Sequence, residues 1–316
     1  MDENSALEQT MTPSGYRAGF VSVIGRPNVG KSTLMNAYLG QKISIVSAKP
    51  QTTRRRVLGI LTLDNAQIVF VDTPGIHKPV HKLGEAMVAE AVEAIPEADV
   101  ILWLVDAAHQ PADEDHQTAG LIVQQGRGIP LILGLNKSDL VPQEERPARA
   151  QAFSQLLQPS EAIFVSATAG ENRDHLLSAI IEYLPENPPF YPEDQVTDQT
   201  VRAIAAELIR EQILLHTHEE VPHAVQVLVD EFIPRSATLT YISATIVVER
   251  PTQRSILLGH KGQMIKSISQ AARQQIEELV ETQVYLDVWV QVRPQWRQKE
   301  AELARLGFRH PGRQSK

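Results

Sequence analysis

The 316-residue sequence predicts an α/β unit with a doubly wound, mostly parallel sheet, followed by a smaller α+β unit. Three observations lead there. Continuous Val/Ile/Leu runs recur through the first part, with helix-like stretches between several of them. A proline-rich segment, PENPPFYPEDQVTD (185–198), then interrupts the pattern. Beyond it, apolar residues alternate along strand-like stretches, and two helical stretches meet at a Gly-x-x-Gly.

Taken in order, the first 15 residues are polar, with Asp2, Glu3 and Glu8, and read as a loose tail with no signal peptide. The runs GFVSVIG (19–25), QIVFVD (67–72), VILWLVD (100–106), PLILGLN (130–136) and AIFVSA (162–167) follow. Such runs suit strands covered on both faces, because a half-exposed strand would alternate. Residues 83–95 and 143–157 read as helices, and chemistry is expected where the strands end. The first unit is assigned to residues 16–184. The segment 185–198 reads as a stiff, exposed linker, and residues 199–316 form the second unit. There, 200–216 looks helical, and 223–233 and 238–249 look like strands. The second of these turns Ile242, Ala244, Ile246 and Val248 to one face. A short helix over 253–258 stops at GHKG (259–262). The next carries an apolar stripe of Ile265, Ile268, Ala272, Ile276 and Leu279. Strict alternation over 284–292 and an amphipathic tail helix after Trp296 complete an α-β-β-α-α-β order.

Composition bounds the function. Hydrophobic residues make up 42% and charged residues 22%, ordinary for a chain with real cores. The net charge of −8 argues against a nucleic-acid partner until the chain is divided. Residues 1–194 hold 15 Lys+Arg against 24 Asp+Glu, and the remainder 15 against 14, so the acidity belongs to the first unit. The absence of cysteine excludes disulfides and thiolate metal sites. No apolar run approaches the roughly 20 residues of a membrane helix.

GRPNVGKS (25–32) follows the first strand directly and matches G-x-x-x-x-G-K-[ST]. Gly25 and Gly30 let the backbone of Arg26, Pro27, Asn28 and Val29 wrap closely around a phosphate chain. The helix that opens at Lys31, Ser32 and Thr33 adds its positive end. Lys31 offers a point charge to terminal phosphates, and the Ser32 hydroxyl is placed to ligate Mg²⁺. In DTPG (72–75), Asp72 suits the Mg²⁺ shell and the Gly75 N–H suits a γ-phosphate.

NKSD (136–139) ends another strand. The carboxylate of Asp139 can accept both the ring N–H and the exocyclic amine of guanine. Adenine would leave it unpaired, which discriminates by factors on the order of 10⁴. Asn136 and Lys137 position the base, and Ser166 and Ala167 of SAT bring a backbone N–H to its oxygen. Between the first two motifs lies SAKPQTTRRR (47–56). A threonine there, Thr53 before Thr52, completes the Mg²⁺ shell when the γ-phosphate is present, which makes a switch. Catalysis is therefore assigned to Lys31, Thr53 and Gly75. Arg54, Arg55 and Arg56 read first as solvated or RNA-facing charges, with a phosphate-reaching arginine as the alternative.

In many small GTPases a glutamine after DxxG orients the attacking water. Ile76 stands there, so intrinsic hydrolysis is expected to be slow. GRPNVGKS, QTTR and this hydrophobic residue resemble a branch of GTPases in which the P-loop asparagine, Asn28, helps hold a potassium ion in place of an arginine finger.

GHKG resembles the GxxG loop of a KH domain, and the element order favours the type II arrangement. Gly259, His260, Lys261, Gly262 and Lys266 are then candidate phosphate contacts, with Ile256 and Ile265 walling a groove for bases. From Arg250 to Ile276 there are five Lys/Arg and no acidic residue.

GRPNVGKSTLMN, QTTRRR, DTPGIHKPVHKLGEAM, PFYPEDQVTD and IREQIL together resemble the bacterial Era GTPases, from about Gly19 to Arg297. That resemblance implies GTP/GDP and Mg²⁺ use and binding near the 3′ end of small-subunit ribosomal RNA. It also implies a role in maturation of the small ribosomal subunit, and a cytoplasmic monomer that associates peripherally with the inner membrane surface. Two other readings stay open: a protein- or membrane-directed GTPase whose second unit binds no RNA, and a P-loop kinase, against which NKSD stands.

Overall fold

The computed structural model describes residues 15–47 and 49–308. Nearly all of the tail expected over residues 1–15 lies outside them. The expected strands form as β1 (Arg17–Ile24), β3 (Ala66–Asp72), β4 (Val100–Asp106), β5 (Leu131–Asn136) and β6 (Glu161–Phe164). One further strand, β2 (Val57–Thr62), gives a six-stranded sheet of order β2-β3-β1-β4-β5-β6. Every pairing is parallel except β2 with β3. Strands β3 and β4 are buried at all positions, as their unbroken apolar runs require.

Helices cover both faces: α1 (Lys31–Leu39), α2 (Lys82–Glu93), α3 (Asp113–Gln125), α4 (Arg146–Ser154) and α5 (Arg173–Tyr183). One core joins β1, β3 and β4 to α1 and α5 through Leu34, Phe70, Leu102 and Ile180. The other holds Ile101, Trp103, Leu133 and Phe153, with the Trp103 and Phe153 rings edge to face at 6.1 Å. Because β1, β3, β4 and β5 are parallel, the loops after them gather at one sheet end.

The segment 185–198 lies along this sheet: the Ile60 amide donates to Val196 O at 2.9 Å, and Phe190 stacks on Phe20 at 5.5 Å. Beyond it come α6 (Val201–His216), a short α7 (Val221–Ala224), β7 (Gln226–Ser236), β8 (Leu239–Val248), α8 (Pro251–Leu258), α9 (Gln263–Val280), β9 (Gln283–Val292) and α10 (Glu300–Arg305). Strand β8 is antiparallel to β7 and parallel to β9, the type II KH topology. Ile268, Ala272 and Ile276 of α9 pack with α6 on Ile242, Ala244 and Ile246 of β8. Ile265 and Leu279, at the ends of the expected stripe, are only partly buried.

The expectation of solvated arginines is overturned at Arg54. Arg54 is 3% exposed and enters the second unit. It donates to Val225 O at 2.5 Å, Gln226 Oε1 at 3.1 Å and His223 O at 3.1 Å. Arg55 donates to Leu306 O and lies over the Phe308 ring at 4.9 Å. Arg55 stays exposed while making these contacts, and Arg56, also exposed, pairs with Glu97 at 2.7 Å. The second unit supplies oxygens to both terminal nitrogens of the desolvated Arg54 guanidinium, with Nε left without a hydrogen-bond partner among the described residues, which a local reading of QTTRRR cannot foresee. Leu83 and Met87 of α2 extend the contact to Trp296, Leu303 and Phe308. Among the described residues, no helix is long and apolar enough to cross a membrane.

Candidate functional site

The loop between β1 and α1 closes where its glycines have no room for a side chain. A Cβ on Gly25 would lie 2.2 Å from Leu104 O. One on Gly30, which caps α1 at φ 100, would lie 2.3 Å from Asn136 Nδ2. Asn28 also takes a positive φ of 64. Val29 is buried in the core and Arg26 turns away from the loop, in ion pairs with Asp115 at 3.2 Å and Asp106 at 3.6 Å. These two positions therefore offer backbone, not side chains. Pro27, Asn28 and Thr33 line a crevice with Ser32, Thr53 and Gly75. Gly75 is packed so tightly that a Cβ would lie 2.5 Å from Pro27 N.

Lys31 is buried, and its ammonium donates to Gly25 O at 3.1 Å and Arg26 O at 3.0 Å. Burial brings its pKa down to about 8, against the pull of Asp72. Ser32 Oγ donates to Asp72 Oδ2 at 2.7 Å and lies 2.9 Å from Thr53 Oγ1, which is itself 3.5 Å from Asp72 Oδ2. Burial raises the Asp72 pKa, with the Ser32 bond and Lys31 opposing. Its other oxygen, Oδ1, is buried with no hydrogen-bond partner among the described residues. An orphaned carboxylate oxygen beside two hydroxyls is the hard-oxygen set that Mg²⁺ prefers, so these residues fit that ion. Thr52 is excluded from the set, because its hydroxyl donates to Lys49 O at 2.6 Å.

At the base end, Asn136 ties three loops together. Its Nδ2 donates to Val29 O at 2.7 Å and its Oδ1 accepts from the Ala167 amide at 3.0 Å. Lys137, in a left-handed conformation at φ 63, donates to Asp106 Oδ2 at 2.7 Å. The Asp139 carboxylate is exposed and has no partner among the described residues. Ser166 accepts from the Ala169 amide at 3.0 Å, shaping the SAT turn.

Sequence reasoning missed the supports. Burial opposes the charge of Asp106, but Lys137 outweighs it and holds the carboxyl below the usual range. Glu171 accepts from Ser138 Oγ at 2.5 Å and Arg146 Nη1 at 2.7 Å, locking NKSD to the SAT loop. His77 lies 2.9 Å from Gly75 O through Nδ1 and 3.3 Å from Gln51 through Nε2. Only position in the fold could single these out. Ile76 is 1% exposed, part of the core with Ile24 and Ile95.

The second loop differs. Gly259 has φ 70 and ψ −179, and a Cβ there would lie 2.6 Å from that of Met264. Gly262, at φ 78, caps α9 without a side-chain bond, so the first amides of that helix face outward. His260, Lys261 and Lys266 are exposed, Ile256 is 46% exposed and Ile265 is half-buried beside them. The loop thus gathers all seven expected residues on one accessible ridge.

A phosphate-wrapping loop, a switch threonine and a guanine-type carboxylate on one sheet end, with a type II KH fold beyond, define a P-loop GTPase carrying an RNA-binding module. Residues 20–137 match the family described as 50S ribosome-binding GTPase, and residues 220–297 match the KH domain. GTPase Era of Carboxydothermus hydrogenoformans is 45% identical over 294 residues, 93% of this chain and 98% of that one. For GTPase Era of Crocosphaera subtropica the identity is 46% over 315 residues, 98% and 99% of the two chains. The fold superposes with a TM-score of 0.88 and 38% identity on Era in complex with MgGDPNP and nucleotides 1506–1542 of 16S ribosomal RNA, covering 93% of this chain and 99% of that one. An Aquifex aeolicus Era variant bound to GDP·AlF4− gives 0.87 and 38%, over 92% and 99%. The chain belongs to the Era family of GTPases.

Proposed function

We propose that this chain is a GTP-hydrolysing switch that binds small-subunit ribosomal RNA near its 3′ end and assists maturation of the small ribosomal subunit. A nucleotide-binding unit over residues 16–184 is joined through 185–198 to an RNA-binding unit over 199–316. The observation that carries the reading is the convergence of Ser32, Thr53 and Asp72 within 2.7–3.5 Å in front of the phosphate loop. The 16S ribosomal RNA held by a solved Era relative supports the RNA half.

Backbone amides of residues 26–32 cradle the β-phosphate, and Lys31 turns from the Gly25 and Arg26 carbonyls to the terminal phosphates. Ser32, Thr53 and Asp72 hold Mg²⁺, which neutralises charge developing on the transferred phosphoryl group. Gly75 donates its amide to the γ-phosphate, and Asp139 accepts the two guanine N–H groups. No side chain at position 76 aligns the water, so hydrolysis is slow without help. Asn28, exposed at the loop tip, would hold a potassium ion, which would supply the positive charge that an arginine finger otherwise brings. Family kinship supports a cytoplasmic monomer with peripheral contact to the inner membrane surface.

Isothermal titration with GTP, GDP and ATP in Mg²⁺ tests the core of this reading. Guanine nucleotides should bind and ATP should not; equal binding of ATP overturns it. Faster turnover in potassium than in sodium, lost in Asn28→Ala, is the expected result for the ion. Retention of a 16S 3′-end oligonucleotide should fall in His260→Ala/Lys261→Ala.

A further inference from the structure

The KH sheet has two faces, and only one is covered along its whole length. Helices α6 and α9 pack on the inner face. On the outer face, Leu228 and Val247 are roofed by Trp296, Phe308 and their neighbours at one end. The rest of that face is open. The β8–β9 register sets Tyr241 opposite Tyr285, Ser243 opposite Asp287 and Thr245 opposite Trp289. Strand β7 adds Ile233 beside Tyr241 and Glu231 beside Ser243. Side chains in this array stand about 5 Å apart across strands and about 7 Å along them. They form one continuous platform with an aromatic row flanked by an acidic row.

The exposures are unusual for such residues. Tyr285 is 60% exposed and Trp289 63%, with Ile233 at 46%. Contiguous large apolar groups left open on a folded chain mark interaction sites, and Tyr and Trp are the side chains that dominate binding energy there. Asp287 holds the Trp289 ring by accepting from Nε1 at 3.3 Å. The Glu231 carboxylate has no hydrogen bond or ion pair among the described residues.

We infer that this outer face is a second docking surface and takes an extended, arginine-bearing segment of another protein. Two features select that chemistry. The Arg235 guanidinium already lies 4.0 Å above the Tyr241 ring, which itself stacks on Tyr285 at 5.9 Å and 23°. The platform therefore accepts a cation on its aromatic faces, and Tyr285 and Trp289 offer further faces of the same kind. Glu231 and Asp287 provide carboxylates of the kind a guanidinium pairs with, beside Asp230, which accepts from Thr245 Oγ1 at 2.7 Å. The same carboxylates repel phosphate, so a nucleic-acid strand stacking on the aromatics is disfavoured here. The opposite charge lies elsewhere on the domain: residues 250–276, around GHKG, hold five cations and no acid. One domain thus presents a basic ridge to RNA and an acidic, aromatic platform to a basic polypeptide. A polypeptide that itself lies on RNA is rich in such cations. That last link rests on the proposed function, whereas the platform does not.

The test uses the full chain and intrinsic fluorescence. Trp103 and Trp296 are 0% exposed, so Trp289 is the solvent-facing reporter. A blocked peptide of alternating glycine and arginine should shift its emission saturably, with affinity falling as salt rises. The glycine–glutamate counterpart should not. Glu231→Gln/Asp287→Asn should weaken the peptide by about tenfold, typical of removing complementary charges. GTP turnover and retention of a 16S 3′-end oligonucleotide should stay unchanged in that variant, which also shows that it folds. Absence of a shift overturns the inference, as does equal binding by the double variant. A shift produced instead by a single-stranded oligoribonucleotide, strengthened in the double variant, would reveal a base-stacking surface and also overturn it. If RNA retention at GHKG failed while the peptide bound as described, the proposed function would fall and the docking surface would stand.

Discussion

The chain carries two glycine loops at helix N-termini, one before α1 and one before α9, and they present opposite environments. In the first, Lys31 and Asp72 are buried, Lys31 is held by the Gly25 and Arg26 carbonyls and Asp72 by the Ser32 hydroxyl. In the second, His260 and Lys261 stand in solvent and only the glycine backbone is constrained. Charges out of water interact strongly and leave a large penalty when a partner is removed. Charges in water contribute little apiece and are screened by salt. The nucleotide end should therefore respond to substitution in large steps, and the RNA end in small, additive ones.

The steepest contrast is expected at Asp139. Asp139→Asn should lower GTP affinity by about 10⁴-fold, because an amide cannot accept both guanine N–H groups. Xanthosine triphosphate, whose base carries a carbonyl where guanine has an amine, should then bind the variant in its place. Calorimetry with both nucleotides checks this, and retained GTP affinity would remove Asp139 from the base site.

Next in size is Arg54, where the buried logic reaches across the two units. Arg54→Met leaves the Val225, His223 and Gln226 oxygens without their donor. A destabilisation of about 3–5 kcal/mol is expected, read from urea unfolding. A cost below about 1 kcal/mol, the ordinary surface value, would mean that the charge is solvated after all.

How much of this was legible in the sequence follows the same division. GRPNVGKS, DTPG, NKSD and GHKG were readable because each is a local string at a strand or helix end, where backbone geometry alone selects its residues. The five expected strands were readable from their unbroken apolar runs, although β6 is buried only at Ile163. Strand β2 was not, since VLGILT lies beside the basic QTTRRR and gains its place only by pairing with β3. Asp106, Asp115 and Glu171 were equally hidden, because their partners Lys137, Arg26 and Arg146 are 25 or more residues away. Thr53 was preferred over Thr52 in the sequence, and the Lys49 carbonyl that takes up the Thr52 hydroxyl gives the physical reason. Composition concealed the fate of Arg54 most thoroughly: three consecutive arginines look like surface until another unit supplies the acceptors.

Ile76 sharpens the buried side of the comparison. Were it merely a missing glutamine, Ile76→Gln would accelerate hydrolysis. At 1% exposure within the Ile24–Ile95 core, the amide would instead be desolvated. Loss of about 1–3 kcal/mol of stability with no gain in turnover is the expected outcome. A faster, equally stable variant would show that the side chain can swing toward the phosphate.

Lys31 gives a smaller and titratable effect. Burial brings its pKa in the free protein down to about 8, and adjacent phosphates would favour the ammonium again on binding. Below that pH the proton is already present and affinity should be flat. Above it a proton must be taken up with the nucleotide, so affinity should fall by at most about tenfold per pH unit. Titrations in two buffers of different ionisation enthalpy would detect the uptake. Proton release, or a flat profile through pH of about 9, would contradict the buried position.

The gentlest effect belongs to the exposed loop. Lys261→Ala removes one solvated cation whose backbone, at φ 50, is already held between two glycines. Its loss should reduce affinity for the 16S 3′-end oligonucleotide uniformly across sequences. The slope of log affinity against log salt should drop by about 0.7, the value for one phosphate contact on a single strand. GTP binding should be untouched, since the loop belongs to the KH fold of the second unit. An all-or-none loss of RNA binding from this one change would mean that the second loop works as the first does, through a buried network, and the contrast between them would disappear.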